Sequence, residues 1–215
     1  MTGHAVQVCE TFISIQGEGL HAGLPCFFIR LSGCNLNCSY CDTRYAMKGG
    51  ENQEIDELVT IWKRSGVALV QVTGGEPLLQ EGVYSLMDIL IESGAQVLLE
   101  TNGSISLARV PWQVVKVVDV KTPGSGMAHS WNQDNLRWLA GYDQVKFVIT
   151  SREDYDWACH WVEKYHLTSF VNVLFSCAWG RLEPRILAAW LLEDRLNVRF
   201  QLQLHKILWG EKTGC

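Results

Sequence analysis

Between residues 26 and 193 the chain alternates short apolar runs rich in β-branched residues with stretches whose apolar positions recur every three to four residues. Six runs read as strands: Cys26 to Leu31, Ala68 to Thr73, Gln96 to Glu100, Val114 to Lys121, Gln144 to Thr150 and Ser169 to Phe175. Val83, Leu86, Met87, Leu90 and Ile91 form one helical stripe, and Tyr155, Ala158, Cys159 and Val162 form another. Near the C-terminus Pro184 suits a first helical position, with Ile186, Leu187, Trp190 and Leu191 on one face. Strands separated by helices imply a parallel sheet, because a parallel neighbour needs a crossover. Six units are too few for a closed eight-unit barrel. An α/β fold with a curved, partly open (β/α)6 sheet is expected, with an open doubly wound sheet as the competitor.

No linker or repeat interrupts the pattern, so residues 1–215 read as a single domain with its core at roughly 26–193 and attached segments at both ends. Arg199, Gln201, Gln203 and His205 alternate with apolar residues and predict a C-terminal strand, which would put Lys206 on its opposite face. Apolar residues make up 47% and charged residues 19% of the chain, which excludes disorder as the main state. Eighteen Lys and Arg against 23 Asp and Glu leave a net charge of −5, so no basic field favours nucleic acid. No stretch is long and apolar enough for a membrane helix, and the opening MTGHAVQVCE lacks the basic and apolar regions of a signal peptide. A cytoplasmic location without membrane partners is expected. Trp62, Trp157, Trp161 and Trp190 read as core or dimer packing.

Chemistry is concentrated in Gly33-Cys34-Asn35-Leu36-Asn37-Cys38-Ser39-Tyr40-Cys41-Asp42-Thr43, which places three thiols within eight residues directly after the first strand of the series. Three thiolates on one loop can wrap three irons of a [4Fe-4S] cubane and leave the fourth open to a small molecule such as S-adenosylmethionine. Zinc is the alternative ion, with His21, Cys9 or Cys26 as a fourth ligand. Burial for packing alone is unusual for three cysteines on a loop rich in Gly and Asn.

CNLNCSYC resembles the cluster motif of the radical S-adenosylmethionine enzymes, with Tyr40 at the aromatic position before the last cysteine. That resemblance implies a partial, open (β/α)6 TIM-like barrel of the radical SAM type, with an N-terminal extension and a C-terminal strand. It assigns the cluster to Cys34, Cys38 and Cys41. Thr73-Gly74-Gly75-Glu76-Pro77 follows the second strand as the superfamily's cofactor-holding glycine motif does, and glycines let backbone carbonyls approach an ammonium group. Glu100-Thr101-Asn102-Gly103 and Asp119-Val120-Lys121 resemble further positions lining the cofactor site. The cofactor residues so implied are Tyr40, Asp42, Gly74, Gly75, Glu76, Asn102, Asp119, Lys121 and Ser176, the last in a Ser-Cys-Ala-Trp stretch where relatives often have Ser-Pro.

Within the superfamily, the run Ile13-Ser14-Ile15-Gln16-Gly17-Glu18-Gly19, followed by Gly23 and Pro25, resembles the opening of the 7-carboxy-7-deazaguanine synthases. Arg30, four residues before Cys34, and Cys41-Asp42-Thr43 resemble two further motifs of that family. The resemblance implies Mg2+ at Thr43 beside the substrate. It also implies a substrate site made by Ile15, Gln16, Gly17, Glu18, Arg30, Thr73 and His205. A carboxylated tetrahydropterin needs one cation and several amides or carboxylates, and Arg30 can supply the cation while Glu18 accepts from ring nitrogens or fixes Arg30. The implied reaction uses a 5′-deoxyadenosyl radical to take hydrogen from C6 of 6-carboxy-5,6,7,8-tetrahydropterin. Ring contraction and loss of ammonia then give 7-carboxy-7-deazaguanine for 7-deazapurine and queuosine biosynthesis. An external electron donor such as a flavodoxin or ferredoxin and a homodimer are expected on the same basis. The rival readings are a glycyl-radical activating enzyme, against which the QGEG and CDT motifs speak, and a non-catalytic zinc or iron-sulfur binding module.

Overall fold

The computed structural model describes residues 4–210 and 212–214, so the first three residues, Glu211 and Cys215 fall outside the description. The strands are β1 (Ala5–Ile15), β2 (Pro25–Leu31), β3 (Glu51–Glu54), β4 (Leu69–Gly74), β5 (Gln96–Thr101), β6 (Val115–Asp119), β7 (Gln144–Ile149), β8 (Asn172–Cys177) and β9 (Arg199–Gln201). They form one nine-stranded sheet in the order β3-β1-β2-β4-β5-β6-β7-β8-β9. Pairing is parallel from β2 through β9, and antiparallel where β1 meets β2 and β3. With β3 and β9 at its edges the sheet is open, as the alternation of strands and helices predicts.

Helices α1 (Ile55–Ser65), α2 (Gly82–Glu92), α3 (Arg152–Lys164) and α4 (Pro184–Asp194) cover one face of the sheet, and a short α5 (Leu204–Trp209) follows β9. Ser151 caps α3 by accepting from the Asp154 N–H at 3.4 Å, and Glu153 and Asp154 sit favourably in its first turn. Pro184 begins α4 as expected. Beneath the helices the strands bury two linked apolar clusters. One contains Ile29, Val72, Leu99 and Leu86, and the other contains Phe147, Phe175, Tyr155 and Leu187. Trp62 belongs to the first, and Trp157, Trp161 and Trp190 pack against the second, so these indoles serve the core.

Four expectations need correction. The N-terminal segment is part of the sheet: β1 pairs with β2 from Val8 to Ile15, and Phe12 stacks on Phe28 at 4.8 Å. The polar strand β3 has no hydrophobic signature, because it is an edge strand held by backbone pairing with β1. Residues Ser169 to Phe175 do not all extend, since Leu167–Ser169 form a 3₁₀ turn before β8 begins. The crossovers from β5 to β6 and from β6 to β7 hold only 3₁₀ turns. There the buried Asn135 side chain replaces helical pairing by accepting from Leu107 N and donating to the Gly103 and Ile105 carbonyls.

The C-terminal strand also stops early, at Gln201. Residues 204–209 turn helical where the Leu204 N–H donates to the Gly17 carbonyl at 3.0 Å. The alternation ends near His205, so the residues beyond it carry no strand signal, and docking on the β1–β2 loop makes them helical.

At the amino end of β7, Asp143 is fully buried and meets the Lys116 ammonium at 3.0 Å while accepting from the Lys116 and Ala140 N–H groups. Asp143→Ala strands a buried ammonium, so stability should fall by about 3–5 kcal/mol, read as a lower urea midpoint. An unchanged midpoint would contradict the pairing.

Candidate active site

Side chains alternate across each strand, and paired residues of neighbouring strands share a face. Opposite the helices, Cys26, Phe28, Leu69 and Leu98 make an apolar floor. Two residues further along their strands come Arg30, Gln71 and Glu100, and Asp119 of β6 lies in register with Lys146 of β7. The face therefore turns from apolar to charged towards the carboxyl ends of the strands, where ligands of open α/β sheets bind.

A cavity of about 230 Å³ lies there. Its walls unite Cys34, Cys38, Cys41, Tyr40, Asp42 and Thr43 of the cysteine loop with Thr73 and Gly74 at the end of β4 and Gly75 just after it. Asn102 after β5, and Asp119 and Lys121 at the end of β6, complete one side. Ile15 at the end of β1, Gln16, Gly17 and Glu18 of the β1–β2 loop, Arg30 of β2 and His205 of α5 complete the other. Two expected residues lie off the walls. Glu76 is fully buried and accepts from Leu78 N, Asn102 N and Thr101 Oγ1, so it braces the turns after β4 and β5. Ser176 is buried on β8 with its hydroxyl unpartnered.

The cysteine loop is fixed from several sides. The Ser39 N–H donates to the Ser125 carbonyl at 2.9 Å, Arg44 donates to the Cys38 carbonyl at 3.1 Å, and Arg181 donates to the Ser39 carbonyl at 2.8 Å. Asn102 reaches Asn35 at 3.1 Å. Burial pushes the Cys34 and Cys38 thiols up, and Cys41 adds to the effect on both. Loading a metal cluster would therefore release protons. None of the residues weighed as a fourth zinc ligand lines the cavity: Cys9 lies on β1, Cys26 in the floor, and His21 beside Gln96. Burial drives Cys26 up to about 12 and Cys177 up to about 11, as suits packing thiols.

Fit to the cofactor rests on two observations. A Cβ on Gly75 would lie 2.1 Å from the Gly33 carbonyl oxygen and 2.7 Å from Cys34 Cβ, so the glycine turn is seated directly on the cysteine loop. On the adjoining wall Asp119 Oδ1 is buried without a hydrogen-bond partner, an acceptor suited to a ligand donor, while Oδ2 pairs with Lys121 at 2.9 Å.

Arg30 corrects another expectation. Its Nε donates to Glu10 at 2.7 Å, and Tyr45 donates to the same carboxylate at 2.8 Å, so Glu18 does not fix it. Glu18 instead meets Lys146 at 2.7 Å, a residue the sequence reading passed over. Gln71 and Gln203 were also missed, and both line the cavity. Polar residues inside otherwise apolar strands are the signal that would have found Gln71 and Lys146. Lys206 does not face away from the site: it reaches Asp42 at 3.3 Å. Burial raises the Asp42 carboxyl, but the hydrogen bond from Thr43 and the charges of Lys206 and His205 outweigh it and hold it low.

Residues 28–115 match the Radical SAM superfamily. The 7-carboxy-7-deazaguanine synthase of Koribacter versatilis is 42% identical, covering 97% of this chain and 99% of its own. That of Chlorobaculum tepidum is 42% identical over 95% of this chain and 94% of its own. Among solved structures, QueE from Escherichia coli superposes with a TM-score of 0.77 at 21% identity, covering 94% of this chain and 95% of its own. A largely parallel open sheet with three thiols on the loop after β2 thus defines a radical SAM enzyme, which uses a [4Fe-4S] cluster and S-adenosylmethionine. Within that class the chain belongs to the 7-carboxy-7-deazaguanine synthase family and is a lyase of 7-deazapurine biosynthesis. Among the described residues no helix is long and apolar enough to cross a membrane.

Proposed function

We propose that the chain, as a single domain, converts 6-carboxy-5,6,7,8-tetrahydropterin to 7-carboxy-7-deazaguanine with loss of ammonia, in the cytoplasm and on the route to queuosine in tRNA. The observation that carries this reading is one cavity shared by the cysteine loop, the glycine turn and a wall of amides and carboxylates. The cluster on Cys34, Cys38 and Cys41, with S-adenosylmethionine, supplies radical abstraction of hydrogen at substrate C6. Gly74, Gly75, Asn102, Asp119 and Lys121, with Tyr40 and Asp42, hold the cofactor beside the cluster. Gln16, Gly17 and Glu18 pair with the ring edge, whose N–H groups and carbonyl suit amides and carboxylates.

Arg30 receives the substrate carboxylate. Its Nε–H is spent on Glu10, and the guanidinium fork offers further donors. His205 is brought to the ring by the docking of α5, against which Gly17 leaves no room for a side chain: a Cβ there would lie 2.3 Å from His205 Nδ1. The floor and walls fix orientation and exclude water, which is the protein's share of the chemistry. Electrons come from a flavodoxin or ferredoxin, and the enzyme works as a homodimer.

Magnesium belongs at Thr43. The Thr43 hydroxyl donates to Asp42 at 2.7 Å, leaving oxygen lone pairs for a hard cation that takes its remaining ligands from substrate and water. Thr43→Ala should lower magnesium-dependent turnover by at least about tenfold while iron and sulfide content stay unchanged. Full magnesium-dependent turnover in that variant would refute the assignment.

The reading as a whole is tested by anaerobic turnover of reduced, reconstituted enzyme with S-adenosylmethionine, magnesium and the carboxylated tetrahydropterin, followed by mass. Deazaguanine product supports it. 5′-Deoxyadenosine without that product would refute the substrate.

A further inference from the structure

Among the cavity residues that the sequence motifs and the family resemblance leave without a role, one carries a full charge and three carboxylate partners. Lys146 is the third residue of β7, its side chain is 4% exposed, and it lines the cavity. Its ammonium lies 2.7 Å from Glu18 Oε2, 2.6 Å from Glu100 Oε1 and 3.5 Å from Asp119 Oδ2. Two of its three N–H donors go to Glu18 and Glu100, and Asp119 lies within ion-pair distance. Three carboxylates already surround this cation, so Lys146 is not a second Arg30.

What Lys146 does is join two walls. Glu18 belongs to the β1–β2 loop and Glu100 to β5, and each is tied further by neutral donors. Glu18 accepts from Gln203 at 2.8 Å and Gln201 at 3.3 Å, and Glu100 accepts from Gln71 at 2.9 Å and Thr73 at 3.2 Å. Gln71 in turn accepts from Gln16 at 2.5 Å, and Gln16 accepts from the Glu18 N–H at 3.2 Å, which closes a ring of contacts with Lys146 as its cation.

We propose that Lys146 is a positioning residue for substrate recognition: its ammonium clamps Glu18 and Glu100 together across the cavity and presents them as paired acceptors for the N–H donors of the pterin ring edge. The inference rests on the pterin substrate proposed above. Lys146 acts through the two carboxylates and does not itself exchange protons. Burial alone would lower its pKa, but Glu100, Glu18 and Asp119 drive it well above the ordinary lysine value. Burial likewise raises Glu100, and Lys146 first, then Lys121 and Arg30, overrides this and holds its carboxyl low. Removing the ammonium leaves the part-buried Glu100 with Glu18 facing it and only the more distant Lys121 and Arg30 in support. Its pKa then rises, and a protonated Glu100 is a poorer acceptor.

The test is equilibrium binding of the carboxylated tetrahydropterin to anaerobic, cluster-loaded enzyme with S-adenosylmethionine, between pH 6 and pH 8.5. Wild-type affinity should be flat over this range. In Lys146→Met affinity should fall as pH falls, by about tenfold for each pH unit below the new Glu100 pKa. Lys146→Arg should restore a flat profile, and the charge-balanced double variant Lys146→Met, Glu100→Gln should lose the slope while staying weak. In turnover, Lys146→Met should raise KM more than it lowers kcat.

Wild-type affinity in Lys146→Met, or a loss that is the same at every pH, would overturn the proposal. If Lys146→Met fails to hold its cluster, Lys146→Arg and the double variant decide, and a pH slope in either would overturn it. A wild-type enzyme that does not bind the pterin at any pH would sink the substrate assignment, and this proposal with it, a result distinct from all the others.

Discussion

Cys34→Ala is expected to abolish product formation and to leave the purified protein without the brown iron-sulfur absorbance. The three cavity-lining thiols are all on one loop, and no other cysteine of the described residues lines the cavity. Two remaining thiolates cannot replace the third, and the radical chemistry belongs to the cluster and its cofactor. Turnover should therefore fall by at least about 10⁶-fold, the lower end of enzymatic rate enhancement. The fold should persist, because the loop is held by Ser39, Arg44 and Arg181, not by Cys34. Iron and sulfide analysis, visible absorbance and mass detection of 5′-deoxyadenosine and product make the measurement, with Cys177→Ala as the control that should keep its cluster. A cluster-loaded, active Cys34→Ala would refute the ligand set.

Gly75→Ala is expected to be nearly as damaging for a different reason. The added methyl would meet backbone, the Gly33 carbonyl at 2.1 Å, as well as Cys34 Cβ at 2.7 Å, and neither is the yielding end of a flexible side chain. One of the two turns must move. The Glu76 N–H donates to the Gly33 carbonyl at 2.8 Å and the Gly75 N–H to the Leu31 carbonyl at 3.2 Å, so movement breaks the seam that joins cofactor turn and cysteine loop. Overpacking of this kind costs about 1–3 kcal/mol of stability. Function should suffer more, because displacements near 1 Å at a reacting centre cost about a hundredfold in rate. Thermal unfolding, iron content and affinity for S-adenosylmethionine check it. Wild-type values for all three would show that the seam is not rigid.

Reading the strands from their apolar runs works because a sheet covered by helices on one face and a site on the other leaves few solvated positions. β4, β5, β6 and β7 accordingly lie within a few residues of their expected bounds. The same logic fails for β1 and β3. Only Val6 and Val8 of β1 are buried, with most of the strand half-exposed, and β3 is polar, so partners in the sheet and not a buried apolar run make them strands. The crossovers after β5 and β6 could not be foreseen, because the buried Asn135 side chain that organises them acts across 28 to 32 residues.

The sequence by itself determined the local chemistry: three thiols at fixed spacing on one loop, glycines after a strand, and Gln16, Glu18 and Arg30 near the chain start. Spacing along a backbone fixes which groups travel together on one turn, and that needs no knowledge of the rest of the fold. Only the tertiary structure decided which groups meet from different strands. Arg30 finds Glu10, Glu18 finds Lys146, and Glu76 braces two turns instead of lining the cavity. Such pairings depend on strand order and register, and each connects residues from 20 to 128 positions apart. Distance in sequence carries no information about them until the strands are assembled into the sheet.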